Sequence, residues 1–353
     1  MEIERTSGQA QGAGLGTWPK VAIIILNWNG WQDTIECLES VSNLIYPNYE
    51  VIVLDNGSTD DSIAQIISWL MRCCEVQTSI DLQDTLPLGI NIVFRAGKIT
   101  LIHSQENLGF AGGCNIGAVI AISNPSVKYL FFLNNDARLS PEAISEAVRV
   151  AEVTGADMIG SVILDRPGGN LIFAGSACLG ELFWPTPVRF LFKVRARFAS
   201  NAFPASMVPG SAMLLSQRLV RSCLASRGYL FNPILYLYGE EVDLGFWAQK
   251  NGFRSMIAPR SLVYHRLDVA DRRKMSRVQY YLARNFIILG NLHLPLFIRP
   301  LFYVWHFLFR FVLILIWTIK GQNEIVRAII HGLVDGAKFM SGKGDAQWRQ
   351  KYQ

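Results

Sequence analysis

The stretch Tyr129-Leu130-Phe131-Phe132-Leu133-Asn134-Asn135-Asp136 decides how the rest of the chain reads. Five apolar residues, three of them aromatic, run straight into two amides and a carboxylate. Such a segment reads as a strand buried on both faces that stops at a polar tip. In an open α/β sheet the crevice beyond the carboxyl ends of the strands is where ligands collect, because loops and helix N-termini converge there. Asp136 is thereby a candidate for holding a metal ion or a sugar. On this stretch alone, Asn134 to Asp136 would equally well turn the chain and cap a helix opening at Pro141.

Upstream, the same pattern recurs. Residues 21–26 are β-branched and apolar and end in Asn27-Trp28-Asn29-Gly30; residues 51–54 end in Asp55-Asn56-Gly57-Ser58. A short strand over 99–103 precedes Asn107-Leu108-Gly109-Phe110-Ala111-Gly112-Gly113-Cys114-Asn115. Helical faces follow each: Ile35, Leu38 and Val41; Ile63, Ile66, Ile67 and Leu70, capped by Ser58 or Thr59; a helix to about 122; and a helix over 141–153. Strand and helix alternating four times give crossover units and a mostly parallel sheet. Asn27, Asp55, Asn107 and Asp136 each stand just past a strand, so the sheet would line them along one edge as a shared site.

Elsewhere the pattern is weaker. Residues 72–98 lack a clean period and contain Pro87, Gly89 and Gly97, which suggests an irregular insertion. Residues 165–206 are rich in Gly, Pro and aromatics, as a loop region over an acceptor site or plain irregular structure would be. Residues 208–215 read as a tight turn entering a strand. Glu240 and Glu241 open a helix that Gly252 closes, with Leu244, Trp247 and Ala248 inward, and short strands flank Pro259, the second ending at His265.

The chain has 353 residues, 50% apolar and only 17% charged, with mean hydropathy +0.24. That is greasier than an ordinary soluble domain. Six cysteines without a Cys-x-x-Cys pair suit reduced thiols in the cytosol. Residues 1–18 show no apolar core, so a disordered lead-in is expected rather than a signal peptide. Net charge is +5, and between Arg266 and Arg310 eight Lys or Arg face two Asp. The apolar, aromatic run 292–319 that overlaps this cluster assigns it to an anionic membrane surface rather than to nucleic acid. Arg310 sits mid-run, and a central arginine opposes a simple span. The run therefore reads as amphipathic helices lying in the cytoplasmic interface, with Trp305 and Trp317 at headgroup level; a buried helical core or a homodimer interface is the other reading. Interfacial attachment would suit a lipid-linked saccharide acceptor.

Chemically, a carboxylate ending the fourth strand can hold a divalent cation across a diphosphate, and one ending the second can accept from a base or ribose. Glu240 or Glu241, across the cleft, can take the proton of an incoming hydroxyl, and His265 can join the metal. The structural alternatives are that the two acids only favour the helix dipole and that His265 is an ordinary hydrogen-bonded residue. No Gly-x-x-x-x-Gly-Lys-Ser/Thr is present, and the glycines at 109, 112, 113 and 117 do not form Gly-x-Gly-x-x-Gly, which disfavours a P-loop enzyme and a dinucleotide oxidoreductase.

The ordered set Asn27-Trp28-Asn29-Gly30, Asp55-Asn56-Gly57-Ser58, Asn107 to Gly117, Asn134-Asn135-Asp136, Pro209-Gly210-Ser211 and Gly239-Glu240-Glu241-Val242-Asp243 with His265 resembles family 2 inverting glycosyltransferases. It is most similar to their rhamnosyltransferase-like and galactofuranosyltransferase-like branch. The resemblance covers residues 20–290 and implies a GT-A fold, α/β with a Rossmann-like sheet, over 19–290, followed by the amphipathic tail 291–353. It implies a nucleotide-diphosphate sugar donor (dTDP-rhamnose-like or a UDP-sugar), a glycan or lipid-linked acceptor, and Mg2+ or Mn2+. Asn27, Asn29, Asp55, Asn56, Asn107, Gly109, Asn115, Asn135 and Asp136 would bind the nucleotide sugar, Asp136 and His265 the metal, and Glu241, beside Glu240, would be the base. Two positions depart from the family pattern. Asn134 stands where Asp-x-Asp has its first acid, so the metal would be shared with the donor. Glu241 stands where Asp is usual; a sugar-nucleotide binder that has lost transfer is the alternative function.

Overall fold

The computed structural model describes residues 18–73, 90–183, 185–265 and 272–340. From the N-terminal side, β1 (Lys20–Asn27), α1 (Trp31–Ser42), β2 (Tyr49–Asn56) and α2 (Ser62–Cys73) lead to a hairpin of β3 (Ile90–Ala96) and β4 (Ile99–Ser104). Then come α3 (Gly109–Ser123), β5 (Val127–Asn134), β6 (Ala137–Leu139), α4 (Ala143–Thr154) and β7 (Met158–Leu164). The second half holds β8 (Leu171–Phe173), α5 (Cys178–Phe183), α6 (Pro185–Phe198), β9 (Phe203–Pro204), β10 (Ala212–Ser216), α7 (Gln217–Arg227), α8 (Glu240–Lys250) and β11 (Ser255–His265). Three long helices close the chain: α9 (Arg272–His293), α10 (Arg299–Ile319) and α11 (Asn323–Met340).

The sheet runs β3-β4-β2-β1-β5-β10-β7-β11-β6. β4, β2, β1 and β5 are mutually parallel, as are β7 and β11, while β10 is inserted antiparallel between β5 and β7. Alternation along each strand divides the core in two. Ile23, Ile25, Val53, Phe131 and Leu133 pack in one layer with the buried sides of α1, α2 and α4. Ile24, Leu54, Leu130 and Phe132 pack in the other with α3, α7 and α8. Because both faces are covered, the strands are apolar throughout and polar only at their ends. Register then aligns those ends: Asn27 pairs with Asp55, Asp55 with His103, and Leu26 with Asn134.

Several expectations need correction. Of the expected irregular insertion, residues 74–89 lie outside the described residues, but Ile90–Ala96 is an edge strand antiparallel to β4. A bulge between Ile92 and Phe94 shifts its register, so that Ile90 packs in the layer of α3 whereas Phe94 and Ala96 pack in that of α1 and α2, and no single period-2 series runs through the strand. The 165–206 region, expected to be loop, contains the 14-residue α6. α7, for which no element had been expected, is capped by Ser216, whose hydroxyl accepts from Leu219 N. Nor do Ser58 and Thr59 cap α2. That helix begins at Ser62, whose N–H is met by Asp60, and the two hydroxyls serve the loops instead. The disordered lead-in and the last part of the tail fall on residues 1–17 and 341–353, outside the described residues, as does Arg266.

α11 packs along α9, and α10 against both. Polar side chains in the middle of α10 are placed by this packing. His306 and Arg310 are buried toward α9, Arg310 donating to Gln279 Oε1 at 3.1 Å, and Trp305 Nε1 donates to Phe183 O at 2.7 Å. The arginine that had opposed a lipid-facing helix thus points into the protein. The outer face, with Leu301, Leu308, Val312 and Leu315, is left apolar and exposed, and α10 is long and apolar enough by itself to cross a membrane.

Candidate active site

At the sheet edge the loops after β1 and β2 are tied into one unit. Asn27 Nδ2 donates to Asp55 Oδ1 at 2.7 Å, and Asn27 Oδ1 accepts from the Thr34 hydroxyl at 2.8 Å. Asp55 also accepts from the Ser58 hydroxyl (2.6 Å) and N–H (3.1 Å), and its Oδ2 lies 3.0 Å from His103 Nδ1. Asn29, held at φ 51°, accepts from Thr59 N at 2.8 Å and donates to the Thr59 hydroxyl. Asn27 and Asp55 are wholly buried. They therefore form a polar floor, and a buried carboxylate with every oxygen engaged is a rigid one. His103 was absent from the expected set; its period-2 place at the end of a strand paired with Asp55 is the signal that finds it.

Above this floor lies a cavity of about 260 Å³ lined by Trp28, Asn56, Asn107, Asn135, Asp136 and Arg277 among others. Asn56 Nδ2 donates to Asn107 Oδ1 (3.0 Å) and to Gly109 O (3.1 Å), while its Oδ1 accepts from Leu108 N. Asn135 donates to Thr34 Oγ1 at 3.1 Å, and the Arg277 guanidinium stands 5.0 Å above the Trp28 ring. The glycines after Asn107 are required by contact. Gly109, at φ 71°, has the Tyr236 ring and carbonyl 2.5 Å from where a Cβ would stand, and Gly113 and Gly117 admit Leu26 and Ile24 of β1 equally closely. Gly109→Ala should thus combine a left-handed backbone penalty with overpacking and lower stability by roughly 2–4 kcal/mol. A urea midpoint equal to wild type would contradict this. Asn115 does not reach the cavity: its Oδ1 accepts from Leu230 N and Phe231 N and its Nδ2 donates to Phe231 O at 2.7 Å. It holds the segment ahead of α8 against α3.

Asp136 and His265 are brought together by the antiparallel pairing of β6 with β11, in which His265 stands opposite Ala137. Nε2 of His265 comes within 2.9 Å of Asp136 Oδ1, an approach not aligned as a hydrogen bond. Among the described residues no group of three or more His, Cys, Asp or Glu is placed to hold a metal ion. One imidazole and one carboxylate are side chains of the kind that ligate a divalent cation, and with Asn134 in place of a second acid such a cation would take its remaining ligands from a bound molecule.

Beside them opens a larger cavity of about 690 Å³ that shares Phe110, Asn134 and Leu237 with the first and is walled by Glu240, Glu241, His265, Arg189, Pro209 and Gly210. Glu240 is buried and its Oε2 has no hydrogen-bond partner. Burial, and then the charge of Glu241, pushes its carboxyl well above the carboxylate range. Burial raises Glu241 as well. Behind them Glu181, fully buried, is gripped by both nitrogens of Arg189 at 2.6–3.0 Å. Asp243, the last acid of the motif, faces away from the cavity and anchors α8, accepting from Arg227 Nη1 and His293 Nε2, each at 2.8 Å.

The turn leading into α8 is strained, with Tyr236 and Tyr238 at φ 60° and 67°. What holds it is Asn285 of α9, whose Nδ2 lies 2.7–2.9 Å from the carbonyls of Leu235, Leu237 and Tyr238, and Arg284, which donates to Ile234 O. Both are buried. Neither was among the expected site residues; a polar pair inside the apolar run of α9 is their only trace in the sequence. Asn285→Ala should cost roughly 2–4 kcal/mol by leaving buried carbonyls without a donor. A urea midpoint equal to that of the wild type would count against this.

A sequence profile described as "Glycosyl transferase family 2" matches residues 22–78 and 89–220. Among curated proteins, the chain is 23% identical over 278 residues to the low-salt glycan biosynthesis hexosyltransferase Agl10 of Haloferax volcanii, covering 77% of this chain and 75% of that protein. It is 24% identical over 254 residues to an N-acetylglucosaminyl-diphospho-decaprenol L-rhamnosyltransferase of Mycobacterium tuberculosis, covering 69% and 75%. The fold is similar to that of the mannosyltransferase PcManGT from Pyrobaculum calidifontis, solved in complex with GDP-Man and Mn2+, with a TM-score of 0.54 at 14% identity over 93% of this chain and 77% of that one. Because the profile spans the polar ends of β1, β2, β4 and β5 and the antiparallel β10, and matches more than half of the chain, the chain belongs to glycosyl transferase family 2.

Proposed function

We propose that the protein transfers a sugar, with inversion, from a nucleotide-diphosphate sugar to a hydroxyl of a lipid-linked or polysaccharide acceptor at the cytoplasmic face of a membrane. The observation that carries this reading is the junction of the two cavities, where Asp136 of the smaller meets His265 of the larger, which the Glu240–Glu241 pair also walls. The nucleoside would occupy the smaller cavity, against Trp28, Asn56, Asn107 and Arg277, above the Asn27–Asp55–His103 floor. Its diphosphate would lie at Asp136 and His265, where Mg2+ or Mn2+, when bound, offsets the charge that develops on the departing diphosphate.

The acceptor hydroxyl enters through the larger cavity. Burial and the charge of Glu241 bias Glu240 toward its protonated form, which leaves Glu241 as the group that accepts the hydroxyl proton while the acceptor oxygen bonds to the anomeric carbon. The bond to the diphosphate breaks on the opposite face, and Arg189, fixed on Glu181, lines the same cavity. A lipid-linked acceptor is supported by the diphospho-decaprenol substrate in the name of the mycobacterial relative and by the outward apolar face of α10. The first test is release of nucleoside diphosphate from a panel of sugar nucleotides with Mn2+. Release from at least one is expected. A sugar nucleotide that raises the Tm with no release from any would leave a silent binder of the same fold.

A further inference from the structure

α6 has two apolar faces and needs only one. Its inward side, Phe192 and Ala196, packs against the layer shared with α3 and α8. On the outward side stand Leu191, Val194 and Phe198, spaced i, i+3, i+7 and 65%, 40% and 80% exposed, while the exposed Phe190 turns toward the 690 Å³ cavity. Cations flank this stripe instead of covering it, Arg197 on one margin and Arg195 on the other, while Lys193 lines the cavity. The helix carries four cations and no acid. Arg189 alone is consumed internally, by Glu181, while Arg195 lies over the Phe203 ring. An exposed apolar stripe between rows of cations is the pattern of helices that lie in a bilayer surface.

We propose that α6 is a second docking helix, which seats on an anionic lipid surface beside α10 and forms the threshold over which the acceptor passes from bilayer to Glu241. This rests on the reading that the acceptor is membrane-borne. Charge selects the occupant: unpaired cations with no carboxylate among them match anionic headgroups, whereas the same stripe packed on a second copy would set cation rows against each other. Position supports it too. α6 starts two residues after Phe183, whose carbonyl accepts from Trp305 of α10, so it opens beside the helix with the largest exposed apolar face. The inner margin of α6, through Thr186, Arg189 and Lys193, is wall of the 690 Å³ cavity. One helix thus separates the lipid surface from the acceptor's cavity.

The test is hydrogen–deuterium exchange of the full chain with vesicles of phosphatidylcholine alone or mixed with phosphatidylglycerol, paired with vesicle flotation. Amides of 185–198 and of 299–319 should both slow on the mixed vesicles. Leu191→Ser/Val194→Ser/Phe198→Ser should weaken flotation by about tenfold or more, since three apolar side chains lose their burial. Arg195→Gln/Arg197→Gln should weaken it about fivefold per cation, on mixed vesicles only. Slowing at 299–319 with none at 185–198 would overturn the role of α6 and leave membrane attachment standing; slowing at neither would overturn both. Slowing at 185–198 without vesicles, rising with protein concentration, would assign the stripe to a second copy. A serine variant with wild-type flotation would likewise sink the proposal.

Discussion

Glu241→Gln should abolish sugar transfer while leaving the donor bound. A positioned general base contributes about 10²–10⁴ in rate, and the amide keeps the shape of the side chain while losing the proton acceptor. The expected result is a fall of that size in kcat, with the donor-induced rise in Tm retained. The same assignment fixes a pH dependence. Burial raises the Glu241 pKa, so the base is unprotonated and active above that raised value, and activity falls as pH drops through it. The acid limb of kcat/KM should lie above the ordinary carboxylate range. A Glu241→Gln variant that retains wild-type turnover, or an acid limb at the unperturbed value, would remove Glu241 from the role. Glu240→Gln is the informative companion: burial and the charge of Glu241 favour the neutral carboxyl at that position, so its loss of turnover should be far smaller.

Asp136→Ala should be the second near-null variant, for a different reason. It removes one of the two side chains that converge at the cavity junction, and a metal acting on a diphosphate supplies several kcal/mol of charge stabilisation, or roughly 10²–10⁴ in rate. With only His265 left, the concentration of Mn2+ that half-saturates nucleoside diphosphate release should rise steeply, whereas in Glu241→Gln the metal-dependent binding of donor is unchanged. Equal release by wild type, Asp136→Ala and Glu241→Gln would refute both assignments. His265→Ala should behave as a milder copy of Asp136→Ala, because neutral imidazole contributes less charge than carboxylate.

The alternation of apolar strands with polar ends made the order β1, β2, β4, β5 readable, and with it the gathering of Asn56, Asn107, Asn135 and Asp136 at one edge. It could not distinguish a residue that lines the cavity from one that holds the lining in place. Asn27 and Asp55 are the buried floor beneath the cavity, Asn115 turns its amide to Phe231, and Asp243 faces Arg227 and His293. All four have the residue types of a binding motif, and each is used for its hydrogen-bonding capacity inside the protein. Composition was misleading over 165–206, where prolines and aromatics concealed α6, and over α10, where Arg310 looked like an obstacle to lipid.

What the sequence determined by itself was local: which segments are doubly buried strands, where they stop, and that the stops are polar, because period and burial are written in successive residues. Tertiary structure alone decided the partnerships. His265 reaches Asp136 through an antiparallel register between strands far apart in the chain, and Asn285 secures the turn before Glu240 from a helix that follows it by some 45 residues. Such contacts depend on strand register and helix packing, which no local pattern specifies. The stretch ending in Asp136 announces where the site lies; its chemistry is completed by residues the stretch cannot name.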